Sequence, residues 1–257
     1  MTSEAGKGKS QRGGKAIRKN DGPPRSGFRA WLTRRHDPLT SLVLTIPVFL
    51  VYHLGILFID LRNGVDLVST LTFELLQRSL WGYVGVTIGV AAGLVVAGMI
   101  LRRKGTIRPA ELLPVLGESV VLAVVMLFSV GWATNKLFAW QIGPRELEPL
   151  EKIVMAAGAG FHEELVFRAG LFAGGSYLLR RFAKWSELRA GLLAALVSSV
   201  IFSAVHYVGS LGDELSIVSF GFRLLAGLYL AAIYRWRGFA VAVYTHAIYD
   251  LIVFFIR

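Results

Sequence analysis

The sequence predicts an all-α polytopic membrane protein, a bundle of about seven transmembrane helices with a buried polar active-site cavity. Three observations predict it. Apolar residues make up 54% of the 257-residue chain and its mean hydropathy is +0.56, where soluble domains sit near 45–50% apolar. The apolar residues come in blocks of roughly 17–25, the length a helix needs to cross a hydrocarbon core. Basic residues concentrate between alternate blocks, as they do in cytoplasmic loops.

The elements follow in order. Residues 1–38 are a basic tail rich in Gly, Ser, Lys and Arg, with Pro23-Pro24. Such a tail cannot bury enough apolar surface to fold and reads as disordered. Apolar blocks place spans at 39–59, 80–101, 119–140, 153–179, 190–209, 217–234 and 238–256. A weaker amphipathic stretch around Leu67–Leu76 reads as interfacial. The chain thus divides into the tail, an N-terminal set of spans to residue 149, and a polar-studded region over 150–257.

The charges test this layout. With the N-terminus inside, the inside segments are the tail, 102–118, 180–189 and 235–237, and they hold 20 of the 28 Lys and Arg. The outside segments hold Arg62, Arg78, Lys136, Arg145, Lys152 and Arg257. The positive-inside rule therefore puts the N-terminus in the cytoplasm, and the Ala/Val/Leu/Arg-rich style points to a bacterial inner membrane. The net charge of +11 serves orientation rather than nucleic acid, because it lies in the tail and short loops. The chain has no cysteine, which excludes disulfides, thiolate metal sites and a cysteine nucleophile.

Several residues are costly where they stand. The fourth span reads Phe161-His162-Glu163-Glu164-Leu165-Val166-Phe167-Arg168. The fifth has Phe202-Ser203-Ala204-Val205-His206, the sixth Arg223, and the seventh His246-Ala247-Ile248-Tyr249-Asp250. A charged group at a bilayer centre costs about 2.5–3.5 kcal/mol on insertion scales. At 100° per residue, Glu164 and Arg168 share a face and can pair. Glu163 points elsewhere and needs a partner from another helix, from water or from a metal. His246 and Asp250 share a face, as do Phe202 and His206. Glu163, His206, His246 and Asp250 left uncompensated would cost on the order of 10 kcal/mol, so the least costly arrangement turns them into one wet cavity. His162 reads as a neighbour at the rim, and Arg223 as snorkelling or paired with a carboxylate.

A carboxylate beside imidazoles in a low-dielectric pocket suits the activation of water for amide hydrolysis. Alternatively, Glu163, His206, His246 and Asp250 could hold one divalent ion such as zinc. Other intramembrane protease patterns fail. His-Glu-x-x-His would need a histidine where Val166 stands. Gly-x-Ser-Gly is absent. The aspartyl order is not met, since Tyr249-Asp250 follows Gly212-Asp213 and position 210 is Ser210. A proton- or ion-coupled transporter would use similar residues, but no matched halves are seen. A non-catalytic scaffold would have no need of the whole set.

The three motifs resemble those of the CAAX-protease and bacteriocin-processing family, to which the eukaryotic Ras-converting endopeptidase belongs. Its pattern of Glu-Glu-x-x-x-Arg, Phe-x-x-x-His and His-x-x-x-Asn/Asp is met by Glu163-Glu164-x-x-x-Arg168, Phe202-x-x-x-His206 and His246-x-x-x-Asp250. The resemblance covers about 150–257. It implies an intramembrane endopeptidase, glutamic-type or metallo, acting on a membrane-associated protein or peptide. Glu163 would be the base, with His206 helping to hold the water. His246 and residue 250 would line the oxyanion side, and Glu164 and Arg168 would fix their helix. Asp250 stands where relatives also carry Asn. An ionised aspartate only accepts hydrogen bonds, so it must be protonated, bind a cation or orient His246. With the N-terminus inside, His206 lies deep in the fifth span, in the middle to outer half, which suits substrate entry from the outer face.

Overall fold

The computed structural model describes residues 35–59, 61, 63–64, 79–102, 108–133, 147–208 and 213–256. Among these residues the chain is entirely helical, in seven rods. They are α1 (Pro38–Gly55), α2 (Leu80–Arg102), α3 (Leu112–Ala133, entered by a 3₁₀ turn at Pro109–Glu111), a composite fourth rod, α6 (Glu187–Val205), α7 (Ile217–Arg237) and α8 (Phe239–Ile256). The fourth rod runs from α4 (Pro149–Gly158) through a π-helical segment (Ala159–Gly174) into α5 (Gly175–Arg181). Helices α1, α3, α6, α7 and α8 are each long and apolar enough to cross a membrane. The fold is the predicted polytopic membrane bundle.

Local chemistry sets the helix starts. Asp37 caps α1 by accepting from Thr40 N at 3.0 Å and from its hydroxyl at 2.7 Å, with Pro38 in the first turn. Glu151 reaches back to the backbone N–H of Glu148 at 2.9 Å to start α4. Ser186 caps α6 and Ser216 caps α7. Gly238 joins α7 to α8 with φ +98°, a backbone setting that favours glycine.

Helix α8 is the hub. It packs against α1, α3, α4, the π-segment and α7, and Ala240, Val241, Ala242 and Val243 are wholly buried. Hydrogen bonds tie the bundle laterally: Tyr244 Oη donates to Leu44 O at 2.7 Å, and Tyr229 Oη to Leu122 O at 2.9 Å. On the rod that carries the two glutamates, Gly160 lets the backbone approach α8. A Cβ there would lie 2.7 Å from Ala247 Cβ and 2.8 Å from Val243 O.

Two expectations are corrected. The third span begins at Leu112 rather than at 119, about two turns earlier, and its expected end at 140 lies outside the described residues. The expected inside segment 102–118 closed at Glu118. Here Glu118 lies inside α3, accepting from Arg237 Nε at 2.5 Å and Nη2 at 2.8 Å, and Arg237 is fully buried. The pair offsets the cost of Glu118 within a span. His36 and Asp37, expected within the unstructured tail, also make defined contacts with the bundle. His36 is buried, with its N–H donating to Arg237 O at 3.1 Å and its Nδ1 2.7 Å from Glu111 Oε2. Residues 1–34 and the Leu67–Leu76 stretch lie outside the described residues.

Gly160→Ala is expected to lower stability by about 1–3 kcal/mol through overpacking against α8, read as a lower thermal unfolding midpoint in detergent. An unchanged midpoint would mean that this contact yields easily.

Candidate active site

The site forms where the π-segment, α6 and α8 meet, with one residue from the segment after α1. Wide, i→i+5 winding is rare and collects at functional positions. Here it spans the whole Glu-Glu-x-x-x-Arg motif. The sequence reading placed these side chains by α-helical angles. The wider turn keeps residues four apart as neighbours, so Glu164 and Arg168 still meet, Nη1 to Oε1 at 3.2 Å.

Glu164 and Arg168 are both fully buried. Arg168 also donates from Nη2 to Gly227 O on α7 at 3.4 Å, and its guanidinium lies 4.4 Å from the ring centroid of Phe202. Gly227 is what brings α7 near: a Cβ there would stand 2.9 Å from Ser199 Cβ. Phe202 packs edge-on against Phe167 at 5.3 Å and His246 at 6.0 Å. The aromatic residue of the second motif therefore covers the cation of the first and touches the histidine of the third. Ser198 Oγ donates to Phe167 O at 2.6 Å, holding α6 to the π-segment.

The same Glu164 Oε1 accepts from His246 Nδ1 at 2.8 Å. This fixes the ring, so Nε2 faces two other carboxylates: Glu163 Oε2 at 3.9 Å and Asp250 Oδ2 at 3.7 Å. Glu163 is buried, and its other oxygen accepts from Asn63 Nδ2 at 2.8 Å. His206 caps the C-terminus of α6, and its Nδ1–H donates to Phe202 O at 2.7 Å. It lies within electrostatic range of both Glu163 and His246, though among the described residues no hydrogen bond joins it to either.

The structure thus joins Glu163, Glu164, Arg168, His246 and Asp250 in one contact network, with His206 at its edge. Arg223 pairs with Asp213 and donates to Tyr207 Oη at 2.9 Å and Ser219 Oγ at 2.6 Å. Asp213 N–H in turn donates to His206 O at 2.9 Å. Arg223 is therefore paired with a carboxylate, and it braces the backbone beside His206. His162 turns away from the cluster. It packs on α1, with its ring 4.7 Å from Tyr52 and 5.3 Å from His53.

A metal was one expectation for Glu163, His206, His246 and Asp250. Among the described residues no three His, Asp or Glu side chains group closely enough to hold an ion. One atom of each of three of these groups is hydrogen-bonded, Glu163 Oε1 to Asn63, His246 Nδ1 to Glu164 and His206 Nδ1 to Phe202 O.

Sequence reasoning missed Asn63, which lay in a presumed outside loop. It also passed over His53 in α1, buried and bonded to Tyr83 Oη at 2.9 Å. The rule that flagged the other intramembrane ionisable residues applies to His53 as well.

Residues 146–252 match the family described as type II CAAX prenyl endopeptidase, Rce1-like. The matched segment holds the π-segment, α6, α7, most of α8 and all three motifs. Over this segment, less than half of the chain, the protein is similar to that family, whose likeness the three motifs carry. No curated protein and no solved structure matches the chain.

Arg168→Met is expected to leave Glu164 charged and buried beside His246, costing about 3–5 kcal/mol. The thermal midpoint in detergent should fall accordingly, and Glu164→Gln added to it should recover part of the loss. A single variant as stable as wild type would mean that Glu164 is compensated by other groups.

Proposed function

We propose that the chain is an intramembrane endopeptidase that hydrolyses a peptide bond of a membrane-associated protein or peptide by a glutamate-dependent mechanism. The observation that carries this reading is the arrangement around His246: Nδ1 on Glu164, and Nε2 facing Glu163 and Asp250 at 3.9 and 3.7 Å.

Glu163 is the general base. It takes a proton from water as the oxygen attacks the scissile carbonyl carbon. His206, donating from Nδ1 to Phe202 O, keeps Nε2 as an acceptor in its neutral form, which suits it to hold the same water. His246, as imidazolium, donates Nε2–H to the oxyanion of the tetrahedral intermediate. Glu164 holds the ring for that task, as the acid partner of a catalytic histidine does. The proton held by Glu163 then passes to the leaving amine as the C–N bond breaks. Asp250 acts on His246 rather than on the oxyanion, because an ionised carboxylate cannot donate and its Oδ2 lies beside Nε2.

Charge placement supports a cytoplasmic N-terminus. His206 follows Glu187 by 19 residues of helix, about 28 Å at 1.5 Å per residue. It sits toward the end of the bundle away from His36 and Gly238. In that orientation substrate approaches from the outer face.

Two outcomes are expected. Quantitative profiling of protein termini in membranes should show specific termini that vanish with Glu163→Gln at equal protein level; the same termini in both strains under several growth conditions would sink the reading. Those termini should persist within about twofold when membranes are treated with EDTA or 1,10-phenanthroline. Their loss, with recovery on adding zinc, would favour the metallo alternative.

A further inference from the structure

Glu163, the proposed base, has a direct hydrogen-bond partner that lies 100 residues away in sequence and outside the matched segment. We propose that Asn63 is a positioning residue of this site, donated by the N-terminal part of the chain, and that it fixes which oxygen of Glu163 faces the reacting groups.

The geometry is specific. Asn63 Nδ2 lies 2.8 Å from Glu163 Oε1, and both residues are buried, at 5% and 6% exposure. Toward a carboxylate an amide must present its NH₂, so the donor is unambiguous. With Oε1 held, Oε2 is the oxygen left beside His246. A carboxylate on a helix can otherwise rotate about its last torsion, which is broad. Locking it saves the orientational loss that general-base catalysis would meet at each turnover.

Asn63 is itself held. Its backbone N–H donates to Tyr52 Oη at 3.0 Å, and Tyr52 is fully buried at the end of α1. Gly158, five residues before Glu163, makes room for both. A Cβ at 158 would lie 2.5 Å from Tyr52 Cε2 and 3.3 Å from Asn63 Cβ. Tyr52 of α1, Asn63 of the segment after it and Gly158 of α4 thus pack together beside Glu163. The matched segment carries the reacting groups, while the orientation of the base comes from the chain's first third.

The effect on rate rests on the protease reading, but the contact does not, and the experiment separates the two. An infrared difference spectrum of detergent-solubilised protein, wild type minus Glu163→Gln with ¹³C-labelled glutamate, isolates the Glu163 carboxylate stretch. Asn63→Leu, similar in shape but without a donor, should shift that band, as should Asn63→Ala. Asn63→Gln should move it back toward wild type. An unshifted band in two folded donorless variants overturns the proposal. In membranes, the termini lost with Glu163→Gln should form about 10²-fold more slowly with Asn63→Leu at equal protein level. Termini formed at wild-type rate also overturn the positioning role. If Glu163→Gln removes no termini while the band still shifts with Asn63→Leu, the contact stands and the protease reading is what fails.

Discussion

One carboxylate oxygen organises this molecule. Glu164 Oε1 meets Arg168 at 3.2 Å and His246 at 2.8 Å. In a bilayer interior a charge persists only with partners at hand. The bundle supplies those partners from three rods: Arg168 from the π-segment, His246 from α8, and Phe202 of α6 over the guanidinium. Gly160 lets the π-segment approach α8, which carries His246, and Gly227 lets α7 approach α6, which carries Phe202. Stability and chemistry share one fixture. The group that neutralises Arg168 also aims His246.

Much of this was legible in the residues. Among the described residues the apolar blocks lie on helical rods, five of them long and apolar enough to cross a membrane, because hydrophobic length in a membrane leaves little choice but a helix. The three motifs came together because intramembrane polar groups must share a compensated space. Arg223 was expected to snorkel or to pair with a carboxylate, and it pairs with Asp213.

What the sequence concealed has a common cause. Glu118 and Arg237 compensate each other across 119 positions. A reading that treats each charge alone ejects Glu118 from its helix and misplaces α3. Asn63 is uncharged and sits in a short segment, so no cost argument marks it. Its importance comes only from the tertiary approach of Glu163. The π-winding of Ala159–Gly174 is equally hidden, because the apolar pattern of a buried helix does not report its hydrogen-bond register. His36 escaped notice for a further reason. A basic, glycine-rich run reads as unstructured until His36 is seen against Glu111.

The Glu118–Arg237 pair also bears on how the chain is made. Helix α3 leaves the ribosome long before the end of α7 exists. At translation rates of about 5–20 residues per second, Glu118 waits roughly 6–24 s for its guanidinium. During that interval a nascent helix carries an uncompensated carboxylate, so α3 has reason to linger near the insertion machinery or at the lipid interface. The completed α7 then closes the bundle by delivering Arg237 together with the Gly238 turn into α8. The Glu118–Arg237 pair can therefore form only once α7 is complete.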